Sequence, residues 1–107
     1  MFSEIKLFQV KPDRIAEFEA LIAAIRDGQR QQPGCTMLRY QKRFYVLDDL
    51  QPRELTRIVK CVKYYSYWEF DCRESYGTAI KWFFETHVKA IQRLLIMPFD
   101  ISCGENV

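Results

Sequence analysis

Residues 3–10, SEIKLFQV, alternate polar with apolar, β-branched or aromatic positions and end at Lys11-Pro12, a pattern that predicts a strand followed by a turn. The period then changes. Ile15, Phe18, Ile22 and Ile25 fall at the three- and four-residue steps of a helix face, with alanines between them and Asp13 placed to cap the start. QQPGC, residues 31–35, ends that helix, because proline cannot continue it and glycine takes the left-handed closing conformation.

Residues 36–47 and 56–70 are rich in Tyr, Phe, Val and Ile, and the intervening DDLQPRE reads as a turn-like loop, so the two segments predict an antiparallel hairpin of long strands. In the second strand Ile58, Val62, Tyr64, Trp68 and Phe70 alternate with Val59, Cys61, Tyr65 and Tyr67. Large groups on both sides imply a sheet covered on both faces. After WEF, Asp71 with Glu74 three residues on has the form of a capping box and predicts a second helix from about residue 71. Gly77 is expected to break or kink it, and the helix to run on through Leu95 until Pro98 forbids continuation. The tail PFDISCGENV alternates enough for a short last strand, giving the order βαββαβ without internal repeats.

Composition narrows the class. At 107 residues the chain reads as one domain, 1–107, long enough to bury roughly 60–65% of its unfolded surface in a single core. No apolar run approaches the length of a bilayer span, and MFSEIKLFQV lacks the basic and apolar regions of a signal peptide, so a cytoplasmic protein with no membrane partner is expected. Cys35, Cys61, Cys72 and Cys103 are widely spread with no CxxC or CxxxH spacing, which favours reduced thiols and no metal site. A net charge of +2 implies no polyanion partner by itself.

The element order predicts an α+β, ferredoxin-like subunit: two helices on one face of an antiparallel sheet, with the other face covered by a second copy of the chain. KPDRIAEFEALI after the first strand, QQPGCTMLRYQ entering the second and YWEFDCRESY, where a tryptophan ends a strand before a capped helix, carry a resemblance. On these residues the chain resembles an antibiotic biosynthesis monooxygenase (ABM) domain over most of residues 2–96. The resemblance implies a homodimeric α+β barrel with an apolar pocket between sheet and helices in each subunit. It also implies a cofactor-independent monooxygenase, an oxidoreductase in which a phenol-, hydroquinone- or anthrone-like substrate loses a proton and passes an electron to O2. No flavin, metal or nicotinamide is called for, and no GxGxxG occurs.

His87 is the only histidine. At about 100° per residue it shares a stripe with Ile80, Phe84, Ile91 and Leu94 and is expected to point inward, while Lys81, Glu85, Lys89 and Arg93 form a solvated face. An inward imidazole is either a candidate catalytic base for a phenolic proton or a buried neutral histidine bonded to a strand. The implied substrate pocket is lined by Trp68, Phe84, His87 and the strand tyrosines Tyr40, Tyr65 and Tyr67. Where many members of the family place a histidine, about nine residues after the strand-ending tryptophan, this chain has Gly77. Haem degradation, which in one branch uses a first-strand asparagine, is not expected because the only asparagine is Asn106. Trp82 falls among the charged residues of the wheel and is expected to be covered, by a partner subunit or by residues 71–77.

Two other readings stand beside the enzyme. Tyrosines interleaved with Arg39, Lys42, Arg43, Arg57, Lys60 and Lys63 suit a sheet that stacks RNA bases. The RNP1 pattern is missing, however, and the pI is about 8.4 rather than above 9, so no nucleic-acid partner is expected. A non-enzymatic dimeric barrel that binds a small apolar ligand remains the main alternative.

Overall fold

A computed structural model describes residues 1–57 and 60–107; Ile58 and Val59, expected in the second hairpin strand, lie outside the described residues. The elements are β1 (Phe2–Val10), α1 (Ile15–Arg30), β2 (Cys35–Lys42), β3 (Tyr45–Asp48), β4 (Gln51–Glu54), β5 (Val62–Phe70), α2 (Arg73–Gln92) and β6 (Asp100–Glu105). The main sheet has the order β2-β5-β1-β6 with every pairing antiparallel, the ferredoxin-like arrangement. Both helices pack on one face. Phe18 of α1 meets Phe8 and Tyr64 at ring separations of 5.4 and 4.7 Å, and Phe83 of α2 meets Trp68 at 6.0 Å. Among the described residues no helix is long and apolar enough to cross a membrane.

The expected long hairpin is divided. β2 ends at Lys42, and DDLQPRE is not a loop: Gln51–Glu54 pairs with Tyr45–Asp48 in a separate two-stranded ribbon. Asp49 and Leu50 form its turn with φ of 51° and 60°. Two consecutive left-handed residues make a turn whose twist matches its strands, a conformation normally signalled by Asn-Gly. Here neither residue is glycine, so the turn-like reading of DDLQPRE does not narrow to these two residues or reveal the strands that flank them.

The caps and helix limits also differ from the pattern reading. Arg14 and Cys72 occupy the N-cap positions without side-chain cap bonds, so Asp13 and Asp71 do not cap. Asp71 is engaged elsewhere: its backbone N–H donates to the Gly34 carbonyl at 2.9 Å, and its carboxylate accepts from Ser75, which holds the carboxyl below its usual range. α2 passes through Gly77 unbroken and stops at Gln92, before Pro98 can act. Its end is set by β1, whose Gln9 carbonyl accepts from the Ile96 N–H at 2.9 Å while the Lys11 N–H donates to the Leu94 carbonyl at 2.9 Å.

Candidate functional site

Alternation along β1 sends Phe2, Glu4, Lys6, Phe8 and Val10 under the helices. Two charges therefore enter the core. Glu4 and Lys6 are fully buried and pair side chain to side chain, and the Tyr76 hydroxyl of α2 donates to Glu4 Oε2 at 2.5 Å. Lys6 Nζ lies 4.3 Å from the centroid of Phe83 and 4.9 Å from that of Trp68, so aromatic faces replace part of its lost hydration. Burial lowers the Lys6 pKa against the opposing pull of Glu4, and burial followed by the Glu4 charge raises that of Tyr76. Desolvating two ions costs several kcal/mol each and is repaid only by close geometry, so packing alone does not explain this pair.

Among the described residues three further buried polar atoms have no hydrogen-bond partner: Trp68 Nε1, Ser66 Oγ and Gln29 Nε2. Strand register puts Ser66 between Lys6 and Tyr40, and Trp68 between Glu4 and Leu38. Tyr40 donates to Gln29 Oε1 at 2.5 Å, and burial raises its pKa well above the usual phenolic range. A buried polar group left unpaired costs about 1–3 kcal/mol, so these three are sites where a polar guest gains most. Tyr40 also lines a cleft of about 230 Å³ between α1 and the sheet, with Phe18, Ile22 and Tyr64 as its apolar and aromatic walls. Glu19 and Lys42 stand at that cleft 3.0 Å apart, and the Tyr64 hydroxyl donates to Glu19, holding the Glu19 carboxyl below its ordinary range.

The fold matches solved structures. A Deinococcus radiodurans protein assigned as an antibiotic biosynthesis monooxygenase superposes with a TM-score of 0.75 at 16% identity, over 100% of this chain and 93% of that one. The chain has the ABM fold. SnoaB, a cofactor-independent oxygenase from Streptomyces nogalater, gives 0.70 at 18% identity over 98% of this chain and 91% of its own. A Bordetella bronchiseptica protein also assigned as a monooxygenase of this kind gives 0.70 at 18% identity, covering 99% and 96%. At such identities the likeness is one of fold. Neither the protein-family models nor the curated proteins contain a match.

Within this ABM fold the residues expected to line one pocket are dispersed. Trp68 and Tyr40 lie on the helix-covered face, whereas Tyr65 and Tyr67 point to the opposite face, where the Tyr67 hydroxyl donates to Glu69 at 2.7 Å. Phe84 is 47% exposed and touches Phe99. Ile91 and Leu94 are buried as expected, but earlier in α2 the buried positions are Tyr76, Ala79 and Phe83 rather than Ile80 and Phe84, because only one of two adjacent phenylalanines can face the sheet. His87 is half-buried at the margin of this stripe, edge-on to Trp82 at 5.1 Å and to Phe83 at 5.8 Å, and burial lowers its pKa. Phe83 thus touches both the imidazole and the Lys6 ammonium. Trp82 is half-buried and lies against Gly28 of α1, where an added Cβ would stand 3.3 Å from the indole.

Glu4, Lys6, Ser66, Tyr76 and Gln29 are not singled out by the sequence pattern. One signal for β1 exists: Phe2, Phe8 and Val10 flank Glu4 and Lys6 on the same alternation face, so a strand buried by its phenylalanines must bury the charges too.

Proposed function

We propose that this chain is a cofactor-independent monooxygenase that oxidises a small phenol-, hydroquinone- or anthrone-like molecule with O2 at the cleft beside Tyr40, drawing on the buried Glu4–Lys6 pair. The observation that carries this reading is the fully buried Glu4–Lys6 pair with Tyr76 bonded to it, together with the buried polar atoms that have no partner among the described residues. The cleft beside Tyr40 is the proposed substrate site; its 230 Å³ suits one or two rings, since a cavity of about 150 Å³ holds benzene. Glu4 takes the substrate proton, and the Lys6 ammonium holds the resulting anion. The anion passes one electron to O2, and the two radicals join in a C–O bond. For an anthrone, loss of water from the hydroperoxide then leaves a new carbonyl: one oxygen atom stays on carbon, and the other departs as water with the two hydrogens.

His87, one of whose two readings from the sequence is a catalytic base, is the second position for proton removal, on the far side of Phe83. The partner in this reading is a second copy of the chain. Ile5, Leu7, Met37, Tyr65 and Tyr67 lie on the sheet face that neither helix covers, with Ile5 49% exposed.

Oxygen uptake with anthrone and hydroquinone tests the proposal. Uptake is expected from the wild type, with a loss of at least about 100-fold in Glu4→Gln/Lys6→Met. A loss confined to His87→Ala would move the base to His87. Saturable binding of these compounds without uptake would replace the enzyme with a ligand-binding module.

A further inference from the structure

A larger pocket of about 670 Å³ lies at the end of the sheet beside the β3–β4 ribbon, and its lining contains Lys42, Arg43, Arg57, Lys60 and Lys63 with no acidic residue. The chain carries 16 basic and 14 acidic residues, so five cations around one cavity are a local concentration rather than an overall bias. Lys42 is paired with Glu19; among the described residues the other four cations have no carboxylate within ion-pair reach. Phe44, Leu55 and Ile96 give the same pocket an apolar wall. On the strands, Gln9 and Lys63 pair four residues along from Ile5 and Tyr67 on the same face, so the pocket lies at the end of the uncovered apolar face.

We propose that this pocket binds a small amphipathic anion: an apolar body against Phe44, Leu55 and Ile96, and a carboxylate or phosphate head held by Arg43, Arg57, Lys60 and Lys63. The volume falls within the roughly 300–1,000 Å³ of small-molecule sites. Guanidinium forks grip either head group through paired hydrogen bonds, and ammonium groups add point charge. A polynucleotide fits less well, because single strands need several stacking rings along a groove and Phe44 is the one aromatic residue in this lining. Lys42 lines both this pocket and the cleft beside Tyr40, so an anion bound here lies next to the proposed substrate site.

Amide chemical shifts of the full chain titrated with decanoate, decyl phosphate and decanol test this. Decanoate or decyl phosphate should move the Gln9, Arg43, Lys63 and Ile96 signals, and the tighter of the two identifies the head group. Arg43→Gln/Lys63→Gln should weaken that binding by about tenfold or more, while Glu4→Gln/Lys6→Met leaves it unchanged. Decanol binding as tightly as the anions, perturbations that miss these four residues, or displacement of decanoate by oligothymidylate would each overturn the assignment.

Discussion

Glu4 and Lys6 stand two residues apart on β1 and meet in the interior with no exposed surface on either side chain. Removing one partner strands the other charge. Lys6→Met is therefore expected to cost about 3–5 kcal/mol in urea unfolding, whereas Glu4→Gln/Lys6→Met, which keeps an acceptor for Tyr76, should be near neutral or more stable than the wild type. A double variant as unstable as the single one would show that the pair itself holds the fold.

His87 has a pKa lowered by burial, so the unfolded chain takes up its proton at a higher pH than the folded one. Stability is then expected to rise with pH between the folded midpoint and the unfolded value near about 6.5, and to fall as pH drops through that window. The ring protons of this lone histidine should titrate with a midpoint below 6.5 in NMR spectra. His87→Gln should flatten the stability profile across the window.

At alkaline pH the sign reverses for the phenols. Tyr40, Tyr64 and Tyr76 all have pKa values raised first by burial, so above about pH 10 the unfolded chain loses protons that the folded chain keeps. Lys6, lowered by burial, opposes this in the window up to its unfolded value of about 10.5 by favouring the folded state as pH rises. Urea midpoints should therefore decline beyond pH 10, and Tyr76→Phe should lessen the decline.

Gly34 and Gly77 should respond oppositely to alanine. Gly34 has φ +85°, and a Cβ there would stand 2.5 Å from Asp71 Oδ1 and 2.7 Å from Ser75 Cβ. Gly34→Ala is expected to cost about 2–4 kcal/mol from left-handed strain and displacement of the α2 start. At Gly77, within α2, an added Cβ meets nothing within 4 Å, so Gly77→Ala should stabilise by about 0.5–1 kcal/mol. Thermal unfolding of both variants checks the pair.

The uncovered sheet face predicts self-association. Sedimentation of the wild type at micromolar concentration should give a dimer, and Ile5→Lys/Tyr67→Lys should give a folded monomer, since two lysines on a buried face oppose association. A wild-type monomer would remove the barrel from the proposal.

Particular residues show where the pattern was sufficient. Phe18, Ile22 and Ile25 repeat at helical steps and are the buried apolar face of α1, and Gly34 ends the turn after that helix because its positive φ disfavours a side chain and Asp71 and Ser75 leave no room for one. Trp68 is fully buried on the central strand where its alternation placed it. The pattern was insufficient where two choices were locally equal. Phe83 and Phe84 are adjacent and equally apolar, yet Phe83 is in the core because the crossing of α2 over Trp68 turns that side toward the sheet. DDLQPRE reads as turn-like, but Asp49-Leu50 carries no glycine, so the tight two-residue turn and its ribbon appear only when β3 and β4 pair.

Period and punctuation are local, and the sequence alone therefore determined the order of the main strands and helices, the faces of α1 and the ferredoxin-like class. Burial is not local. Phe2, Glu4, Lys6, Phe8 and Val10 form one alternation face of β1, and Ser3, Ile5, Leu7 and Gln9 form the other; only the helices, by covering the first, decided that two charges would be desolvated while Ile5 stayed exposed. The meeting of Lys6 with Trp68, Tyr76 with Glu4 and Ser66 with Tyr40 joins strands and a helix distant in sequence. Such contacts depend on strand register and helix placement, and tertiary structure alone supplies both.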